Sequence, residues 1–297
     1  MTNDTTRNAA KVYVVIPVYN RLELTLGCLA CLEKQDYRNF ESILVDDAST
    51  DGTSDLVAEK YPTTRIIRTV GDRWWTGATN DGIRLAMETA SDDDYILLLN
   101  NDLVFPPNLL RVLTSTQNAK GKNSVIGAIT LDSRDGKTIR NGGTNLNPWT
   151  MKFSFPNAGR SIAEFSSGHV EPTVYQTGRG VLYPAWIFRK YGMFDDIHFK
   201  QCGDCEFPLR LAHQGISLWI AYDAQVQTND KDTAQINHTV RKKLSDWREY
   251  FFGVRSNTNL KYQYYFARAA SRPFYRPLGI GIYLSRVFLG FAKRVVR

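Results

Sequence analysis

Three short polar clusters in this 297-residue chain have the residue types to bind or move charge. Asn100-Asn101-Asp102 follows the apolar run 95–99, Asp46-Asp47 follows 40–45, and Tyr19-Asn20-Arg21 follows 12–17. A carboxylate beside amides offers hard oxygen ligands, the kind that Mg2+ and Mn2+ prefer. The chain has no G-x-G-x-x-G or Walker loop to cradle phosphate, so a bound diphosphate would need a cation to neutralise it. Two C-x-x-C pairs, Cys28/Cys31 and Cys202/Cys205, have zinc-like local spacing. The first falls on an expected helix face, and the pairs lie far apart in sequence. They are expected to be reduced, structural thiols rather than a zinc site.

The elements that must position these clusters can be predicted from pattern. Residues 95–99 are too continuously apolar and too short for an amphipathic helix, and predict a strand buried on both faces of a parallel sheet. Strands are also expected at 12–17, 40–45 and 65–70, alternating with helices at 22–32, 53–60 and about 78–89. Such alternation predicts an α/β fold with right-handed crossovers. In open sheets of this kind ligands bind beyond the carboxyl ends of the strands, which is where all three clusters fall.

Composition is that of a soluble globular protein, with no apolar stretch near the length of a spanning helix. The polar N-terminus lacks a signal-peptide core, which predicts a cytoplasmic location. The charge of +7 is unevenly spread. Residues 231–297 hold 14 Lys or Arg against Asp232, Asp246 and Glu249, a net +11 that leaves −4 on the preceding 230 residues. A basic tail on a nearly neutral body predicts an anionic partner.

The order Val-Ile-Pro-Val-Tyr-Asn-Arg (15–21), Val-Asp-Asp-Ala-Ser-Thr-Asp-Gly-Thr (45–53), Leu-Leu-Asn-Asn-Asp (98–102) and Gly-Asp-Cys-Glu-Phe-Pro-Leu-Arg (203–210) resembles family 2 glycosyltransferases of the GT-A fold. The similarity covers roughly residues 12–230 and is strongest to bacterial rhamnosyl- and galactosyltransferases that build surface polysaccharides. It implies a mostly parallel sheet flanked by helices and transfer of a sugar from a UDP- or dTDP-sugar. By the same resemblance Pro17, Tyr19, Arg21, Asp47 and Asn101 would bind the nucleotide. Asp102 would hold the Mg2+ or Mn2+ that bridges the diphosphate, and Asp204 would be the general base. A lone base implies inversion at the anomeric carbon. Two departures stand out: Gly203 where an acid commonly precedes the base, and Glu206 where a second Asp is usual. The metal-binding His often found after the last strand is missing from 225–230, and His238 is the substitute nearest in sequence.

The implied organisation is a polar segment (1–11), a catalytic domain (12–238) with nucleotide-binding (12–105) and acceptor (106–238) halves, and a basic, aromatic, helical extension (239–297). In the acceptor half, strands are expected at 124–130, 174–183 and 217–221, helices at 186–191 and 209–213, and a long loop over the site at 142–168. Glycines in Thr177-Gly178-Arg179-Gly180 suggest close approach to a ligand, with Arg179 on phosphate or acceptor. Trp75, in a loop, would stack on a sugar, while Trp74 divides evenly between site and core. At 100° per residue, Arg286, Lys293, Arg294 and Arg297 share one sector of a terminal helix, and Val287, Phe288, Phe291, Ala292 and Val295 another. That helix could meet an anionic membrane at its inner face, the catalytic body or a second copy in a homodimer. No nucleic-acid motif accompanies the charge. The acceptor implied is a growing, lipid-linked glycan. Two other functions compete. A sugar-1-phosphate nucleotidyltransferase would need a glycine-rich loop after the first strand, which 17–21 is not. A catalytically inactive carbohydrate-binding or scaffold protein would share the fold.

Overall fold

The computed structural model describes residues 9–147, 149–228, 243–271 and 273–296. Among them nine strands form one sheet, and its first half follows the sequence pattern closely. β1 (Val12–Val18), β2 (Phe40–Asp46), β3 (Arg65–Arg68) and β4 (Tyr95–Leu98) are parallel and ordered β3-β2-β1-β4. They alternate with α1 (Leu22–Glu33), α2 (Thr53–Lys60) and α3 (Trp74–Met87). The chain moves from β1 to one side and returns on the other, so the carboxyl ends of β1 and β4 flank a topological switch point. Every residue of β1 and β4 is buried. Val14, Ile16, Leu44 and Leu97 form one apolar layer with α1, while Val15, Ile43, Val45 and Ile96 form the other with α3. The period-2 alternation of a strand covered on both faces requires this division.

The second half departs from expectation. α4 (Leu109–Lys120) precedes β5 (Ser124–Asp132), which carries the short β6 (Ile139–Asn141) at its edge. Residues 142–168, expected as a loop, contain the hairpin β7 (Asn145–Asn147) and β8 (Lys152–Ser154). The single strand expected over 174–183 is two strands. β9 (Val170–Thr173) lies at the sheet edge, and β10 (Val181–Pro184) inserts antiparallel between β4 and β5. The intervening 174–180 crosses from one to the other, with Gly180 at φ +84 completing the bend.

α5 (Ala185–Tyr191) leads to α6 (Gly203–Ala212), six residues earlier in its start than the 209–213 helix expected. β11 (Ser217–Thr228) is much longer than 217–221 and shifts register between Ala221 and Gln225. The segment after β4 bridges to its far end through Val104 and Gln227. α7 (Trp247–Phe252), α8 (Leu260–Ala270) and α9 (Arg276–Val296) follow. Phe199 and Leu209 of the body form an apolar cluster with Tyr262, Phe266 and Ala267 of α8. The aromatic extension therefore packs on the sheet domain.

Candidate active site

The carboxyl edge of the sheet is held by hydrogen bonds between loops distant in sequence. Asn20 donates its backbone N–H to Ser49 Oγ (2.7 Å) and accepts from the Thr50 N–H (2.9 Å). Arg21, in the left-handed region, supplies no side-chain cap to α1, and Asp51 accepts the Leu22 N–H instead (3.0 Å). Asp46 accepts from the Ser49 N–H and the Ser54 hydroxyl, tying the loop to α2. Asn20, Arg21, Ala48 and Trp74 all have positive φ without being glycine. Backbone strain of this kind concentrates at functional sites.

Asp47 has a role that the local sequence does not signal. Its carboxylate accepts the Trp74 N–H (2.8 Å) and the Arg73 N–H (3.2 Å), capping the free amides at the start of α3. This cap from a neighbouring loop starts the helix at Trp74, where a start near 78 is expected. The two indoles therefore sit on the first turn of α3 and not in a loop. Trp75 donates Nε1–H to Asn100 Oδ1 (3.0 Å) and packs edge-on against Phe194. Trp74 lies under the Arg255 guanidinium.

A cavity of about 410 Å³ opens at this edge, and its wall includes Pro17, Arg21, Trp75, Asn101, Asp102, Arg179 and Asp204. Seven of the sequence-predicted residues thus meet in one place. Tyr19 and Asp47 are not on that wall: Tyr19 is 56% exposed, and Asp47 is buried under the 69–74 turn. His238 lies outside the described residues. Asn101 is fixed by donating its amide N–H to Thr25 Oγ1 (2.9 Å), and Arg21 Nη1 stands 3.4 Å from Asp102 Oδ2.

Asp204 lies in the first turn of α6 and is 8% exposed, which excludes a solvated loop acid. Its Oδ2 accepts the Gly178 N–H at 2.8 Å. Burial pushes its pKa up to about 6, against the opposing pull of that hydrogen bond and of Arg179. A carboxylate with such a pKa is ionised at neutral pH and basic enough to take a proton. Gly178 is required by packing, since a Cβ there would stand 2.3 Å from Trp75 Cζ2. The glycine admits the indole, where a ligand is expected from the sequence. Gly203 has a similar reason: a Cβ would meet Thr76 Cγ2 at 2.5 Å, and its N–H donates to Thr76 Oγ1. Glu206 is buried in an ion pair with Arg210 (3.0 Å), whose other N–H groups hold the Tyr191 and Met193 carbonyls. It therefore fixes the approach to α6.

The rest of the wall was not legible in sequence. Phe153, Tyr175, Phe266 and Tyr283 form a contiguous aromatic cluster with ring centroids 5.5 to 6.4 Å apart. Arg255 and Gln263 add polar groups from the extension. The aromatic richness of the tail signals Phe266 and Tyr283, and Phe153 falls in the 142–168 segment expected to lie over the site. Cys202 and Cys205 also line the cavity, and hydrogen bonding with Cys202, reinforced by burial, pushes the Cys205 thiol well up, keeping it neutral.

The donor set beyond β4 consists of oxygens from Asp102 and its neighbouring amides, which suits Mg2+ or Mn2+. Among the described residues no three His, Cys, Asp or Glu group into a metal cage. The fit is that of an ion held by one carboxylate together with substrate phosphate.

A parallel sheet with an inserted antiparallel strand, and acids at its switch point, has the architecture of a GT-A glycosyltransferase. The family model for glycosyl transferase family 2 matches residues 13–181, and the chain belongs to that family. It is similar to glycosyltransferase GlyG of Streptococcus pneumoniae, 30% identical over 119 residues, 39% of this chain and 38% of the relative. It is also similar to the N-acetylglucosaminyl-diphospho-decaprenol L-rhamnosyltransferase of Mycobacterium tuberculosis, 23% identical over 215 residues, 65% of this chain and 67% of the relative. Amylovoran biosynthesis glycosyltransferase AmsB of Erwinia amylovora is 37% identical over 94 residues, 30% of each chain. The match therefore spans well under half the length of two of these curated relatives. Among solved structures, GalNAc-T7 with UDP, GalNAc and Mn2+ shares the fold with a TM-score of 0.60 at 13% identity, over 97% of this chain and 56% of that one. The mannosyltransferase PcManGT from Pyrobaculum calidifontis with GDP-Man and Mn2+ gives 0.56 at 14% identity, over 96% and 73%.

Proposed function

We propose that the chain transfers a sugar, with inversion, from a UDP- or dTDP-sugar to a hydroxyl of a growing, lipid-linked bacterial surface glycan. The observation that carries this reading is Asp204, a buried carboxylate of raised pKa on the same cavity wall as Asn101 and Asp102. Asp204 takes the proton of the acceptor hydroxyl as its oxygen attacks the anomeric carbon. The Gly178 N–H fixes the carboxylate, and Arg179 supplies positive charge beside it. Arg21 and Asn101 meet the nucleotide at the β1 and β4 ends. Asp102 would hold a divalent ion, which supplies charge neutralisation for the departing diphosphate.

The mycobacterial and Erwinia relatives, by their names, act on a diphospho-decaprenol-linked sugar and in amylovoran biosynthesis. These support the acceptor class. The place of action is the cytoplasmic face of a membrane carrying that acceptor. The test is turnover of a panel of UDP- and dTDP-sugars, with the anomeric configuration of the product read by NMR. Inverted product, lost in Asp204→Asn while nucleotide binding survives, is expected. Retained configuration would refute Asp204 as a lone base, and no turnover with any donor would favour an inactive binding protein.

A further inference from the structure

From Tyr250 to the C-terminus the sequence holds nine Lys or Arg and no Asp or Glu. α9 runs through this stretch and is apolar on two faces. Its inner face packs: Tyr283 on Phe153 and Phe266, and Val287 and Phe291 on Tyr250 and Phe251. Phe288 and Ala292, which the sequence pattern groups with these, are instead exposed. Its outer face remains apolar, with Leu278 58%, Leu289 59% and Phe288 50% exposed. At 100° per residue Leu278, Ile282 and Leu289 fall in one narrow stripe, bordered along one side by Lys293 and Arg286. Just ahead of the helix Phe274 is 74% exposed, edge-on to the half-exposed Trp149. No helix among the described residues is long and apolar enough to cross a membrane.

We propose that α9 lies in the plane of an anionic lipid bilayer. The Leu278–Ile282–Leu289 stripe enters the acyl boundary, Phe274 and Trp149 sit at headgroup level, and Arg286 and Lys293 face lipid phosphates. An apolar stripe edged by cations is the pattern of an interfacial helix. Charge selects this occupant over a second copy of the chain, which would bring an equally acid-free, positive face against it. The same helix presents Tyr283 to the cavity, so bilayer contact would set the acceptor wall against the membrane. Only that last consequence rests on the transferase reading above.

The test is co-sedimentation of the full chain with vesicles of phosphatidylcholine, alone or mixed with phosphatidylglycerol. Binding to the mixed vesicles is expected to be at least about tenfold stronger and to weaken with salt. Leu278→Glu with Leu289→Glu should abolish it without changing Tm, because both positions are exposed. Equal binding by the variant, or no vesicle binding by the native chain, would overturn the proposal. So would concentration-dependent dimerisation that the variant loses, or a variant whose fold collapses. Vesicle binding does not depend on turnover, so the failure of the transferase reading would leave this result standing.

Discussion

Asp204 should cost the protein stability at neutral pH. Its pKa is raised from an ordinary 3.8 to about 6, mainly by burial. Below pH 4 the acid is protonated in both the folded and unfolded chain, and burial carries no ionic penalty. Between about pH 4 and 6 the unfolded chain releases the proton first, so stability falls as pH rises, and above 6 the full penalty remains. At about 1.36 kcal/mol per pKa unit the penalty is roughly 3 kcal/mol. Asp204→Asn is nearly isosteric, keeps an oxygen for the Gly178 N–H, and cannot ionise. It is predicted to be inactive yet more stable than the native chain at pH 7.5 by a few kcal/mol, on the order of 5 °C in Tm. That gain should vanish near pH 4. Paired denaturation curves at pH 4, 6 and 7.5 measure the difference, with all other titrating groups common to both proteins. A variant less stable at pH 7.5, or one with the same gain at every pH, would refute the account of Asp204 as a carboxylate held against its desolvation.

Three further outcomes are expected. The pH profile of kcat/KM should rise with an apparent pKa of about 6, because the base must be ionised, and a profile flat from pH 5 to 8 would count against Asp204. Asp102→Ala should remove the Mn2+-dependent part of the thermal stabilisation given by UDP or dTDP, and an unchanged Mn2+ effect would place the ion elsewhere. Gly178→Ala drives a Cβ into the Trp75 indole, which must leave Asn100. A loss of about 1–3 kcal/mol of stability together with a fall in kcat is expected, and wild-type values for both would refute the packing reason for that glycine.

The first half of the sheet was legible because its signals are local. Apolar runs at 12–17, 40–45 and 95–99 end in polar clusters, and a buried parallel strand has few other ways to end. The meeting of Arg21, Asn101 and Asp102 at one sheet edge followed from that geometry, while the roles expected of them came from the family resemblance. What failed was set at a distance. The start of α3 depends on the Asp47 carboxylate, 27 residues away from the amide it caps, and no window around Trp74 contains it. β10 inserts antiparallel between two strands that precede it, so its pattern could not be separated from that of the edge strand β9. The aromatic wall from α8 and α9 consists of residues whose spacing signals a packed helix, with nothing to say what it packs on.

Gly203 bears on whether the chain has kept its activity, because the family pattern commonly has an acid there. The structure ties the substitution to packing. Thr76, on α3, occupies the space a side chain would need, and the Gly203 N–H donates to the Thr76 hydroxyl at 3.1 Å. The same helix carries Trp75, whose indole covers Gly178, whose N–H in turn holds Asp204. An acid at 203 would push against α3 and thereby against the support of Asp204. Gly203→Asp is therefore expected to lower both Tm and turnover, and an Asp there that raised activity at unchanged Tm would show that this chain lacks a group it needs.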